Sequence, residues 1–264
     1  VSDPDTILAE TQGAVRTLWL NRPEVKNAMS LAMVEELRTA LAEAEAEPAI
    51  RVLVLRGKGG TFCAGGDIAD MSKARQAVVE DGDDPIARVS TVFGELCLAY
   101  SRTPLALVTV VEGGALGGGF GLACVSDICI ASQNASFGLP ETSLGLVPAQ
   151  IMPFLVERLG YSEAKRLAVL GGRIDAAEAL RIELVHEMAQ DVEAPLAATC
   201  TQILRNPPEA LAATKELARL ARSTPADEIV PIAARAFAKA FRGEEGVEGT
   251  TAFMEKRKPE WAVK

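Results

Sequence analysis

Leu105-Ala106-Leu107-Val108-Thr109-Val110-Val111 and, one residue later, Gly113-Gly114-Ala115-Leu116-Gly117-Gly118-Gly119-Phe120-Gly121 decide how this chain folds. The first stretch is a near-continuous apolar run, the pattern of a strand buried on both faces. The second is a glycine-rich turn leading into a helix, where backbone can approach a ligand closely and the first helical N–H groups have no intrahelical acceptor. The same order occurs upstream, with a Val/Leu-rich strand over 50–56, a break at Gly57-Lys58-Gly59-Gly60, and then Thr61-Phe62-Cys63-Ala64-Gly65-Gly66-Asp67-Ile68. Outward from these two junctions, Val15–Leu20 and Ile128–Ser132 read as further strands. Ser30 is a suitable N-cap, and Leu31, Val34, Leu37 and Leu41 repeat at helical spacing up to Pro48. Strands separated by helices predict an α/β architecture with crossover connections.

Between the two junctions, Glu80-Asp81-Gly82-Asp83-Asp84-Pro85 reads as a solvated acidic loop, with 71–79 before it as a flap. Beyond residue 192 strand patterns stop. Four helical stretches follow, over 194–205, 207–222, 226–242 and 245–258. The division expected is therefore a core domain over 1–192 and a helical region over 193–264, too thin to own a core, that packs on its own body or on another subunit. No repeat or low-complexity tract interrupts either part.

Composition narrows the function classes. The 264 residues are 48% hydrophobic and 24% charged, a globular balance with room for a large core. A formal net charge of −9 opposes binding to nucleic acid or to an anionic membrane, since phosphate surfaces are held by basic ones. The five cysteines, Cys63, Cys97, Cys124, Cys129 and Cys200, form no CxxC pair and read as reduced thiols of a cytoplasmic protein. No signal peptide and no membrane span is expected. No His/Cys/Asp group has metal-ligand spacing, and the single histidine, His186, reads as packed or surface rather than catalytic.

Neither glycine run is a nucleotide fingerprint. Counted as G-x-G-x-x-G, the sixth position is Phe62 from Gly57 and Leu122 from Gly117. A glycine run alone is more often a packing point than a site, but two at strand-to-helix junctions point toward function. A third segment, Ala135-Ser136-Phe137-Gly138-Leu139-Pro140-Glu141, read by itself is a surface turn whose Glu141 caps a helix.

Taken together, these segments resemble the enoyl-CoA hydratase/isomerase, or crotonase, family. The resemblance extends from Leu20-Asn21-Arg22-Pro23 and Asn27-Ala28 through both glycine segments, Ser126-Asp127-Ile128 and 137–141 to Thr251-Ala252-Phe253-Met254-Glu255-Lys256-Arg257-Lys258. It implies a crotonase (ClpP-like) spiral of β-β-α units in two stacked sheets, with a C-terminal helical oligomerisation region. It implies catalytic roles for Glu141 and for the backbone N–H groups of Ala64 and Gly118, which would hold the thioester oxygen. It also implies acyl-CoA contacts at Lys26, Ala28, Ala64, Gly65, Asp67, Ile68 and Gly118, and at Phe253 and Lys256 of a neighbouring subunit, though Asp67 equally suits a helix N-cap. The thioester is substrate, no further cofactor or metal is expected, and the assembly implied is a homotrimer or a hexamer made of two trimers.

One departure matters. Hydratases of this family usually carry a second glutamate where this chain has Gly121. Three readings stand: a hydratase in which Glu141 alone moves both protons, a Δ3,Δ2-enoyl-CoA isomerase, and a non-catalytic acyl-CoA-binding homologue. The stretch Gly145-Leu146-Val147-Pro148-Ala149-Gln150-Ile151-Met152-Pro153-Phe154 resembles bacterial hydratases of branched glutaconyl-CoA substrates. Such a substrate has a distal carboxylate, for which Lys73, Arg75 and Arg158 are the cations considered.

Overall fold

The computed structural model describes residues 5–79 and 84–262. Its first half runs β1 (Ile7–Gln12), β2 (Val15–Leu20), α1 (Leu31–Ala46), β3 (Val52–Gly57), α2 (Ile68–Gln76) and α3 (Pro85–Arg102). Then come β4 (Ala106–Val111), β5 (Gly114–Leu116), α4 (Gly118–Val125), β6 (Ile128–Ser132), β7 (Ser136–Gly138) and α5 (Met152–Leu170). The chain continues through β8 (Arg173–Asp175), α6 (Ala176–Arg181), β9 (Glu187–Ala189) and α7 (Glu193–Ile203), and closes with α8 (Pro208–Ala221), α9 (Ala226–Arg242) and α10 (Glu244–Met254). The expected 71–79 flap is mostly helix α2, and residues 80–83 of the acidic loop lie outside the described residues.

Six strands form the main sheet in the order β1-β2-β3-β4-β6-β9, parallel except for the β1–β2 hairpin. A smaller sheet, β5-β7-β8, lies beyond the carboxyl ends of β4 and β6, so that β4-β5-α4 and β6-β7-α5 are successive turns of the expected β-β-α spiral. β3 and β4 are buried throughout, and their side chains divide by parity. Leu53, Leu55 and Leu107 join the large core with α1, α3, α4 and α5, while Val52, Val54, Val108 and Val110 meet Val192, Cys200 and Ile203 on the opposite face. Helix α7 thus covers the sheet. α8, α9 and α10 pack mainly on one another, tied to the body by Arg51, whose guanidinium donates to the carbonyls of Leu204 and Asn206, and by Lys215, whose Nζ donates to Leu105 O and Asp127 Oδ2.

The two glycine segments are stitched edge to edge. Cys63 N–H donates to Gly114 O and Leu116 N–H to Cys63 O, both at 2.9 Å. A Cβ on Gly119 would stand 2.7 Å from both Cβ and O of Cys63, so only glycine permits this approach.

Candidate active site

Glu141 follows β7 and Pro140, at the start of a 3₁₀ turn (Thr142–Leu144), yet its side chain makes no capping hydrogen bond. The carboxylate turns inward. Its Oε1 lies 2.7 Å from where a Cβ on Gly117 would be, a position that also has φ of +50°, so glycine there serves both the turn and the carboxylate. Its Oε2 is buried without a hydrogen-bond partner among the described residues. Burial raises the Glu141 pKa above the ordinary carboxylate value, opposed only by its own backbone N–H. A half-buried, unpaired carboxylate with a raised pKa is suited to taking and returning a proton.

Glu141 faces a cavity of about 310 Å³ that it shares with Gly66 and Gly118, with Met29 and Phe93 among the apolar walls and Ser90 and Gln150 among the polar ones. Gly118 is the first residue of α4, where the helix leaves N–H groups without intrahelical acceptors and the macrodipole favours negative charge. Its amide donates to nothing in the described chain.

The expected partner amide is a different one. Ala64 N–H is spent on the carbonyl of Lys26 at 3.0 Å. Lys26 and Asn27 both adopt left-handed backbone (φ of +54° and +55°), which turns that carbonyl toward the strip. Two residues on, Gly66 lines the cavity while its N–H has no acceptor among the described residues, although its neighbours are engaged: Met29 N–H donates to Gly65 O and Asp67 N–H to Met29 O. Gly66 therefore replaces Ala64 as the free amide of this segment.

The other expected residues divide. Asp67 Oδ1 caps α2 by accepting from Ala69 N–H at 2.9 Å, and Oδ2 pairs with Arg22 at 2.8 Å, which holds its carboxyl below the usual range despite partial burial. The same Arg22 Nη1 donates to Ala28 O at 2.6 Å. Ile68 begins α2 and is exposed, and Gly65 takes φ of +101° beside Leu116 O. Phe253 and Lys256 stand at the end of α10, exposed and outside the Glu141 cavity.

Asn27, fully buried, was quoted in the sequence without a role. Its Nδ2 donates to Lys58 O and Thr61 O, and its Oδ1 accepts from Arg22 N–H, so one side chain fixes the loop that positions Lys26. Gly121 is filled from outside: a Cβ there would overlap Ile151 Cγ2 and stand 3.8 Å from Phe93 Cζ.

None of the cations considered for a distal carboxylate lines this cavity. Lys73 is exposed, 3.6 Å from Asp70, and Arg75 is exposed. Arg158 belongs to a separate cavity of about 720 Å³, where it donates to the Cys124 and Ser126 carbonyls that end α4. Its Nη1 lies 3.1 Å from His186 Nε2, and His186 Nδ1 accepts from Cys129 N–H at 3.0 Å. All five cysteines are free and buried, Cys63 included, whose thiol burial pushes up to about 12. Among the described residues no three His, Cys, Asp or Glu side chains are placed to hold a metal ion, and no helix is long and apolar enough to cross a membrane.

Comparison with known proteins identifies the family. Residues 10–264 match the family model for enoyl-CoA hydratase/isomerase. The crystal structure of an enoyl-CoA hydratase/isomerase from Marinobacter aquaeolei superposes with a TM-score of 0.95 at 45% identity, covering 98% of this chain and all of that one. A probable enoyl-CoA hydratase of Mycobacterium bovis is 34% identical over 260 residues, 97% of this chain and 98% of that protein. A mevalonyl-coenzyme A hydratase of Aspergillus fumigatus is 33% identical over 249 residues, 92% of this chain and 90% of the relative.

Proposed function

The chain belongs to the enoyl-CoA hydratase/isomerase family, and from that premise we propose that it is a hydro-lyase adding water across the 2,3 double bond of an enoyl-CoA thioester, with Glu141 as its one acid–base group. The observation that carries this reading is the unpaired, buried Oε2 of Glu141 in one cavity with the unengaged amides of Gly66 and Gly118. With the thioester oxygen on those amides, water attacks C3 while the Glu141 carboxylate accepts its proton. The π electrons move through C2 to the thioester oxygen, giving an enolate. Fixed N–H donors stabilise that charge without reorganising, each worth roughly 3–4 kcal/mol. Protonated Glu141 then delivers its proton to C2, which restores the carboxylate. One carboxylate serves both steps.

A second reading, proton transfer between C4 and C2 of a 3-enoyl thioester, is favoured by one feature, the apolar filling of Gly121 by Ile151 and Phe93. The Glu141→Gln variant tests the site, since it keeps shape and loses the base. Hydration should fall by about 10³-fold or more with acyl-CoA binding retained, in keeping with the loss of an acid–base group. Absorbance of the conjugated enoyl group separates the reactions: decay with 2-enoyl substrates is hydration, and growth with 3-enoyl substrates is isomerisation. Binding without either change, or full activity in the variant, defeats the proposal.

For the acyl group we carry forward a branched chain with an oxygen at its far end. The glutaconyl expectation and the mevalonyl-CoA named for the fungal relative share that feature, with a carboxylate in one case and a hydroxyl in the other. The thioester is the substrate and no other cofactor takes part. The compartment proposed is the cytoplasm, in keeping with five unpaired thiols. Assembly is proposed as a homotrimer or a pair of trimers, in which Phe253 and Lys256 reach a neighbour's CoA.

A further inference from the structure

Ser90 and Gln150 are polar groups held in the Glu141 cavity by no step of the chemistry just described. Gln150 Nε2 donates to Ser90 Oγ at 3.2 Å, across 60 residues of sequence. That bond uses the serine as acceptor and leaves its O–H as a donor. Neither this O–H nor the second N–H of Gln150 has an acceptor in the described chain.

The fold makes room for the pair. Gly94 sits inside the 18-residue helix α3, where glycine is less favourable than alanine. A Cβ at Gly94 would overlap Gln150 Oε1 and lie 2.8 Å from its Cδ. The glycine leaves room for the amide to lie in this position. Ser90 lies one helical turn before Phe93 on the same face of α3, and Gln150 directly precedes Ile151. Phe93 and Ile151 are the side chains that close over α4 at Gly118 and Gly121. The cavity therefore passes from the free amides and Glu141, across an apolar layer, to two uncharged hydrogen-bond donors.

Its charged walls are of one sign. Asp67, Asp70 and Glu141 line it, and among the described residues no lysine or arginine does. Asp67 is paired with Arg22 at 2.8 Å and Asp70 with Lys73 at 3.6 Å, while Asp70 Oδ2 also accepts from Leu31 N–H at 2.9 Å, so the cations beside these two walls are already engaged by carboxylates. A carboxylate entering here would lose its water and would have to compete with Asp67 and Asp70 for cations already paired, which is costly. A hydroxyl needs only a donor and gives up far less hydration.

From this arrangement we propose that Ser90 and Gln150 form a specificity subsite that binds an uncharged oxygen, a hydroxyl, on the acyl chain remote from the thioester. The inference rests on the reading that this cavity holds the acyl group of a CoA thioester. It names the substrate class as hydroxyacyl rather than plain alkyl or dicarboxylic.

Three saturated ligands of equal chain length test it without turnover: valeryl-CoA, 5-hydroxyvaleryl-CoA and glutaryl-CoA, titrated calorimetrically into the intact assembly. The wild-type protein should bind the hydroxy ligand at least about tenfold more tightly than valeryl-CoA, with glutaryl-CoA weaker than the hydroxy ligand. In Ser90→Ala and in Gln150→Met the hydroxy-to-valeryl ratio should fall toward one, whereas Glu141→Gln should keep it. A wild-type ratio near one, a preference for glutaryl-CoA, or variants that weaken all ligands by the same factor would overturn the subsite. Loss of the hydratase reading shows up elsewhere, as a wild-type protein that binds these ligands but leaves 2-enoyl-CoA unhydrated.

Discussion

The unpaired Oε2 of Glu141 has a signed consequence. Burial raises this pKa, so the fold favours the neutral acid. As a base the group must be ionised, and kcat/KM should fall with acidity along a limb lying above the ordinary glutamate value of 4.5. Stability runs the other way. A raised folded pKa gives a contribution that is full below the unfolded value and lost as pH rises through the folded one. Glu141→Gln, neutral at every pH, should therefore melt no lower than the wild type at pH 8, and any advantage should shrink at pH 4. A variant markedly less stable at pH 8 would mean the carboxylate has a partner. The Gly66 amide makes a second residue-scale prediction. Gly66→Pro deletes the N–H and should lower kcat by about 10²–10³, the range for one oxyanion donor. Gly66→Ala keeps it and meets only the mobile end of Met71, whose Cε lies 2.6 Å from the added Cβ, so its rate should stay within a few-fold. Equal effects of the two substitutions would refute the assignment.

Helix α4 is held between α3 and α5, and that packing decides what position 121 can carry. Ile151, which precedes α5, and Phe93 of α3 meet over Gly121. Gly121→Glu would overpack this layer and bury an unpartnered carboxylate, so about 1–3 kcal/mol of stability should be lost and crotonyl-CoA hydration should not rise. Adding Ile151→Ala should recover part of the stability in denaturant melts; a single variant that is both stable and faster would show that the space is open. The sequence makes several long elements legible, though not β1 or the 18-residue α3. β2 and β6 were read end to end from apolar patterning, and α1 from Ser30, whose Oγ accepts from Met33 N–H at 3.2 Å. β5, β7, β8 and β9, three residues each, were not, because pairing with distant strands holds them rather than any local period. The site divides the same way. Glu141 and Gly118 are reached only through the family resemblance, since the segment ending in Glu141 reads by itself as a surface turn. Gly66 rather than Ala64 carries the free amide because the carbonyl of Lys26, 38 positions away, occupies the Ala64 N–H; asparagine favours the left-handed turn that aims this carbonyl, but Lys26 itself gives no sign of it. Ser90 and Gln150 are joined only by tertiary structure.

At the scale of the whole molecule, the last three helices are incomplete as they stand. α8 and α9 contain no buried residue, although α9 is strongly amphipathic in sequence. Phe237 and Phe241 stack at 5.9 Å yet remain 70% and 55% exposed, and Phe253 on α10 is 83% exposed. Contiguous exposed aromatic surface of this kind marks an interaction site. Arg51 and Lys215 anchor the bundle to the body by polar contacts, and its apolar face stays exposed. In the proposed trimer that face is the interface, and burying it brings Phe253 and Lys256 to a neighbour's CoA. Phe237→Glu combined with Phe241→Glu should therefore shift the assembly to monomers by light scattering. The same variant should raise KM for acyl-CoA more than it lowers kcat, since Glu141, Gly66 and Gly118 all come from one chain and stay in place. A wild-type protein that is monomeric at micromolar concentration, or a monomeric variant with unchanged KM, would show that the site is complete within one subunit and that the terminal helices serve another purpose.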